Sequence, residues 1–186
     1  MSILIGCKQQ DPRHQKMFYE RYRGTALKIV FRYIYNYEDG VEITNDGFVK
    51  FFLNIDKFKI GYEGDIEKML NGWLKRIMIN TAIDLLRRKM MLPEIGIIDD
   101  THLNFKDDAA GSDKLLIYKD LIKLIKKLPP SYRVVFNMFV IDGYSHLEIA
   151  ETMNIPVNTS KSNLARAKIL MQDYINKIEQ LVECSI

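Results

Sequence analysis

The sequence predicts an all-α fold, and three observations carry that prediction. Apolar residues recur at three- and four-residue steps through almost every segment. No run alternates apolar and polar residues as a strand would, and Ile95-Gly96-Ile97-Ile98 is too short and isolated to imply a sheet. Asp, Asn, Gly and Pro stand where such helices would begin and end. With 186 residues, 47% of them hydrophobic, the chain can build modest cores in one domain or in two small ones.

Asp11-Pro12 opens the first long helix, an Asp cap followed by Pro at the first helical position. Phe18, Tyr22, Leu27, Val30, Phe31 and Ile34 follow at helical spacing, and Gly24 predicts a break into two helices. A second segment runs from about Asp39 to Asp56, with Val41, Phe48, Phe51, Phe52 and Ile55 as its core face. A third runs from about Asp65 to Met90. From Leu92 to Ser112 the period is lost among Pro93, Gly96, Gly111 and the Asp99-Asp100 and Lys106-Asp107-Asp108 groups, which predicts a linker. Leu115, Tyr118, Leu121, Ile122, Ile125 and Leu128 then restart a helical face that Pro129-Pro130 ends.

The last third reads as a helix-turn-helix. Leu147, Ile149, Ala150 and Met153 make one apolar side of a short helix, which Asn154-Ile155-Pro156 stops: Asn tolerates the left-handed conformation and Pro cannot continue the ladder. Asn158 or Thr159 caps the next helix. That helix carries Lys161, Arg166 and Lys168 with no acid before Asp173, so it offers donors to phosphates and base edges without a competing carboxylate. It suits a major groove. An ordinary helical bundle would use the same residue types, so the segment alone leaves both readings open.

The net charge of +3 hides segregation. Glu38, Asp39, Glu42 and Asp46 form an acidic block, whereas Lys75, Arg76, Arg87, Arg88 and Lys89 form a basic one, which points to two different partners. Cys7 and Cys184 lie near opposite ends without C-x-x-C spacing, and His14, His102 and His146 are scattered, so neither a disulfide framework nor a metal site is expected. No apolar run is long enough for a membrane span, and the opening Met1-Ser-Ile-Leu-Ile-Gly lacks the basic start of a signal peptide. A cytoplasmic protein is expected.

Leu128, Pro129 and Arg133, then Glu148-Ile149-Ala150, then Thr159, Lys161, Ser162, Leu164, Arg166, Ala167 and Lys168 follow in an order that resembles region 4 of extracytoplasmic-function sigma factors. The resemblance implies contact with the minus-thirty-five promoter element by Asn158, Thr159, Lys161, Ser162, Asn163, Arg166 and Lys168. Asn163 stands where many relatives place a longer basic or Gln side chain. Asn can pair with adenine through two hydrogen bonds, which predicts discrimination of about 1–3 kcal/mol at one base pair.

Upstream, Asp39, Glu42, Ile43, Asn45, Asp46 and Phe48 resemble sigma region 2.2, with Gly40 and Val41 where Ala and Glu are usual. The resemblance makes these the residues that bind core RNA polymerase. Gly72 to Lys89 is similar to regions 2.3 and 2.4, where Trp73, Lys75, Arg76, Asn80, Asp84, Arg87 and Arg88 would meet the minus-ten element. Arg76, Asn80, Ile83, Asp84 and Arg87 recur along one side of that helix, above buried contacts from Leu74, Ile77, Ile79, Leu85 and Leu86. Core anchoring is the commoner role for a Trp such as Trp73, and Asp84 equally suits a plain pairing with Arg87 or Arg88. In the family the preceding loop captures a base flipped out of the duplex. Here that loop, roughly Lys57 to Asn71, offers Phe58, Lys59, Tyr62 and Asn71, and it is several residues longer than the short family form.

The resemblance implies an all-α protein of two small helical domains: residues 1–92 as region 2, 93–112 as a flexible linker, and 113–186 as region 4. It would be a promoter-specificity subunit and not an enzyme, with no cofactor and no metal. Its partners would be core RNA polymerase, promoter DNA and an anti-sigma factor, with no membrane insertion. The alternative is a helix-turn-helix regulator that keeps these modules without engaging polymerase. A recombinase with a nucleophilic Ser fits less well, because no strand-rich catalytic domain precedes the motif.

Overall fold

The computed structural model describes residues 2–59, 65–91 and 121–183, and these are helical throughout apart from short connections. The chain divides into two compact units, Met1–Asn104 and Phe105–Ile186. The expected linker at 93–112 lies outside the described residues.

The first unit begins with a short helix absent from the sequence reading, α1 (Ser2–Lys8), followed by α2 (Pro12–Val30), α3 (Tyr37–Leu53), a 3₁₀ turn at Ile55–Lys57, and α4 (Ile66–Met91). Asp11 caps α2 by accepting from the Arg13 N–H at 3.0 Å, with Pro12 at the first position. Helix α2 runs unbroken through Gly24, contrary to the expected break. Gly24 is exposed with open space where a Cβ would stand, so its roughly 1 kcal/mol propensity deficit falls on a long helix anchored on both sides by buried Tyr22 and Ala26.

Helices α2, α3 and α4 pack against one another around an aromatic and aliphatic core, with α1 laid on α2. Phe18 of α2 stacks on Phe51 of α3 at 4.5 Å, while Leu74, Met78, Ile79 and Ile83 of α4 are buried beneath them. Each such side chain contributes about 1.5–3 kcal/mol of burial. Two glycines permit the close packing: a Cβ on Gly47 would collide with the Met78 thioether, and one on Gly40 with the Phe31 ring. The departure from Ala at position 40 therefore has a local cause.

In the second unit residues 121–126 are helical (α5), then come α6 (Pro130–Phe136), a π-helical turn at Asn137–Ile141, α7 (His146–Met153) and α8 (Val157–Glu183). Leu124, Ile125 and Leu128 pack against Ala167 and Met171 of α8 to form its core. Arg133 is buried, and its Nη1 donates at 2.8 Å to the Lys126 carbonyl, one of the last acceptors of α5. Asn154 sits at φ 54° and ends α7 in the left-handed conformation.

The supporting helix α7 is fixed at its start by a reciprocal cap. Ser145 Oγ accepts from the Glu148 N–H at 3.2 Å, and Glu148 Oε2 accepts from the Ser145 N–H at 3.0 Å. The S-x-x-E spacing of this capping box is legible in the sequence. Two local expectations change. Helix α8 begins at Val157, so Asn158 and Thr159 lie in its first turn and do not cap it. Leu147 is 60% exposed, so the apolar side of α7 is made by Ile149, Ala150 and half-buried Met153 alone.

Candidate nucleic-acid interface

Helix α3 carries the acidic surface. Glu42, Asn45 and Asp46 are exposed on one stripe, and Asn45 Oδ1 accepts from the Tyr19 hydroxyl at 2.9 Å. Asp39 is half-buried in the first turn, where its N–H donates to the capping Asn36 side chain at 3.0 Å. Ile43 and Phe48 turn inward at 3% and 2% exposure, so they are core residues and offer no surface. On the exposed side Val49 and Leu53, 56% and 78% exposed, continue the stripe from Asn45 at four-residue steps. An apolar residue on the polar side of α3 was the available signal for both.

Helix α4 carries the basic surface. Arg76, Asn80 and Arg88 are exposed, with Lys75 and Arg87 half-buried beside them. Asp84 is a connector: its Oδ2 lies 3.3 Å from Lys50 Nζ of α3, and its Oδ1 accepts from Arg87 Nη2 at 3.0 Å. Arg88 Nε donates to the Asp84 carbonyl at 3.3 Å. The carboxylate thus orients Lys50 and Arg87, while the Asp84 backbone holds Arg88.

The expected loop residues scatter. Phe58 is 6% exposed, its ring stacked on Trp73, which is itself half-buried and packed on Phe51 at 4.7 Å. Phe58 and Trp73 thus pack on each other and on the α3 core in this structure. Asn71 is exposed but stands inside α4, because Asp65 caps that helix by accepting from the Glu67 and Lys68 N–H groups at 3.0 and 3.2 Å. Lys59 is exposed, and Tyr62 lies outside the described residues. Part of the longer loop is thus an added helical turn, held by Glu67 against Arg21 of α2 at 2.8 Å.

Helix α8 presents Asn158, Lys161, Ser162, Ala165, Arg166, Lys168 and Ile169 outward, with Thr159 half-buried. Ser162 Oγ donates to the Thr159 carbonyl at 3.0 Å, and Arg166 Nη1 donates to the Tyr132 hydroxyl at 3.1 Å. Asn163 does not join them. At 9% exposure it lies on the inner side with Ser160, Leu164 and Ala167. One step of helix phase decides this: positions 160, 163, 164, 167 and 171 face the core, and 158, 162, 165 and 169 face away.

Residues 18–90 match the family model described as sigma-70 region 2, and residues 118–171 match the one described as sigma-70, region 4. The chain belongs to the sigma-70 family. Within it, this sigma factor falls in the extracytoplasmic-function group. It is 28% identical to the ECF RNA polymerase sigma factor SigW of Bacillus subtilis (strain 168), over 79% of this chain and 81% of that protein. It is 26% identical to the ECF RNA polymerase sigma-E factor of Escherichia coli (strain K12), over 92% and 90%. The fold of the sigma factor is similar to RpoE of Bartonella quintana, solved with the anti-sigma factor NepR. That match has TM-score 0.56 and 16% identity and covers 87% of this chain and 96% of that one.

The sigma factor presents no group of three or more His, Cys, Asp or Glu placed to hold a metal ion among the described residues. No described helix is long and apolar enough to cross a membrane.

Proposed function

We infer that this chain binds core RNA polymerase and directs it to specific promoters for the start of transcription. The observation that carries the reading is the order of the two family matches, region 2 and then region 4, in a chain whose acidic and basic surfaces lie on separate helices. Residues 1–92 would hold the polymerase and open the minus-ten element, 93–112 would span the two parts, and 113–186 would read the minus-thirty-five duplex.

The acidic stripe of Glu42, Asn45 and Asp46, with Val49 and Leu53, forms the polymerase contact, in which charge steers the encounter and the apolar pair is desolvated on docking. Arg76, Asn80 and Arg88 track the backbone of the opening strand, and Asp84 holds Arg87 beside them. On α8, Asn158 and Ser162 reach base edges while Lys161, Arg166 and Lys168 neutralise phosphates. The family acts in transcription, and the chain would serve there as a specificity subunit and not as an enzyme. Its working place would be the cytoplasm, where polymerase and promoter are. An anti-sigma protein would cover the same surfaces, as the partnership of RpoE with NepR suggests.

The test is run-off transcription with purified core polymerase and a promoter library. Selection of a defined promoter set, with transcripts that start at fixed positions, is the expected result. Binding of DNA without any association with core polymerase would leave only the regulator reading.

A further inference from the structure

His146 lies outside every surface described above. It is the first residue of α7, directly after the capping Ser145. Its ring stacks on Phe139 of the π-helical turn, centroids 4.5 Å apart and planes at 26°. Its Nδ1 lies 2.9 Å from the hydroxyl of Ser160, a residue of α8 with 0% exposure. Three elements therefore meet at one imidazole. With Nδ1 engaged by Ser160, Nε2 is the ring nitrogen left for a further partner in this half-buried residue.

The charged groups that act on the ring are Lys161 and Lys168 of α8. Phe139 brings no charge from the turn, and the acid of the first turn of α7, Glu148, is engaged by Ser145. Burial first, and then the two lysines, hold His146 below the usual imidazole range, so the free protein keeps it neutral at pH 7.

We propose that His146 is a phosphate contact on the minus-thirty-five duplex and that it takes up a proton when the duplex binds. The inference rests on the reading of α8 as the helix that enters the major groove. In a helix-turn-helix the helix before the recognition helix crosses the sugar-phosphate backbone, which brings the start of α7 to the strand that Lys161 and Lys168 neutralise. A phosphate there reverses the local field: it offsets both lysines and favours the imidazolium. Ser160 tolerates either state. Its hydroxyl donates to Nδ1 of the neutral ring and accepts from Nδ1–H of the charged one, so protonation leaves the packing between α7 and α8 in place.

The direction of the pH effect follows. A group whose pKa is higher in the complex than in the free protein adds affinity that is complete below the free-state value. That gain is lost as pH rises through the bound-state value. Each pKa unit gained on binding gives about tenfold in affinity.

Holoenzyme assembled from the full chain and core polymerase is titrated with a selected promoter at pH 6 and pH 8, beside His146→Gln. Gln keeps a neutral hydrogen-bonding side chain and cannot titrate. The ratio of wild-type to variant affinity is expected to rise about tenfold on going from pH 8 to pH 6, with a salt slope steeper by about one phosphate for wild type alone. A ratio that stays constant while both proteins bind overturns the proposal. Histidine-selective NMR of the full chain with the duplex supplies the answer without a variant: the His146 titration should move up on adding DNA, and no movement or a downward one overturns it. Failure to bind core polymerase or any promoter would instead strike the sigma-factor reading itself.

Discussion

The Phe58 ring is stacked on the Trp73 indole, centroids 5.4 Å apart with planes at 28°, so these two aromatics fasten the end of the 3₁₀ turn to α4. Neither ring face turned toward its partner is open to a nucleobase. The pairing predicts that Phe58→Ala lowers the stability of the first unit by about 3 kcal/mol. Urea unfolding followed by the fluorescence of Trp73, the single Trp of the chain, measures it. A loss of promoter opening with no change in the unfolding midpoint would return Phe58 to the DNA surface.

Exposed charge on α3 should act on binding and leave folding alone. Asp46→Lys is expected to weaken association with core polymerase at least tenfold, about 1.4 kcal/mol, with the deficit shrinking at high salt. Its unfolding midpoint should match wild type. Phe48→Ala, in contrast, removes a ring that packs edge-on against Tyr19 at 4.8 Å and should unfold the unit more easily. Binding titrations and urea melts on the same two proteins separate the roles.

The inward position of Asn163 reverses what its residue type suggests. Asn163→Ala should weaken every promoter to the same extent, through a packing loss of about 1 kcal/mol. Asn158→Ala and Ser162→Ala should change the ranking of promoters instead. A binding panel of single-base promoter variants decides between them, and a ranking altered by Asn163→Ala would place that side chain back in the groove.

Removal of the reciprocal cap should loosen the helix-turn-helix. Ser145→Ala is expected to cost about 1 kcal/mol, a fall of roughly 4–8 °C in the melting temperature of the second unit. Differential scanning calorimetry of the full chain measures the shift. An unshifted transition would show that the cap adds nothing to α7.

Cys7 of α1 is fully buried, and burial first, then Asp11, pushes its thiol up to about 11. At pH 8 only about one thiol in a thousand is then ionised, and alkylation of the folded chain at Cys7 should be slow. Reactivity should climb as pH rises toward 11 or when urea is added. Peptide mapping after iodoacetamide treatment distinguishes Cys7 from Cys184, and rapid labelling at pH 8 would contradict the buried position.

The sequence by itself determined the helical class, the Asp11 cap, the Asn154 stop and the order of motifs that marks a sigma factor. Each of these is written in neighbouring residues, through dihedral preference or a three- to four-residue period. Tertiary structure alone decided which members of those motifs face outward. Periodicity gives a helix a side but does not say which neighbour covers it. The phase of α8 is set where Ala167 and Met171 meet Leu124, Ile125 and Leu128, and that contact draws Asn163 inward. The fit of α3 against Tyr19 and Phe18 likewise draws Phe48 in and leaves Val49 and Leu53 outside. His146 shows the same limit most plainly, since the serine that holds it is fourteen residues away and meets it only because α7 and α8 cross.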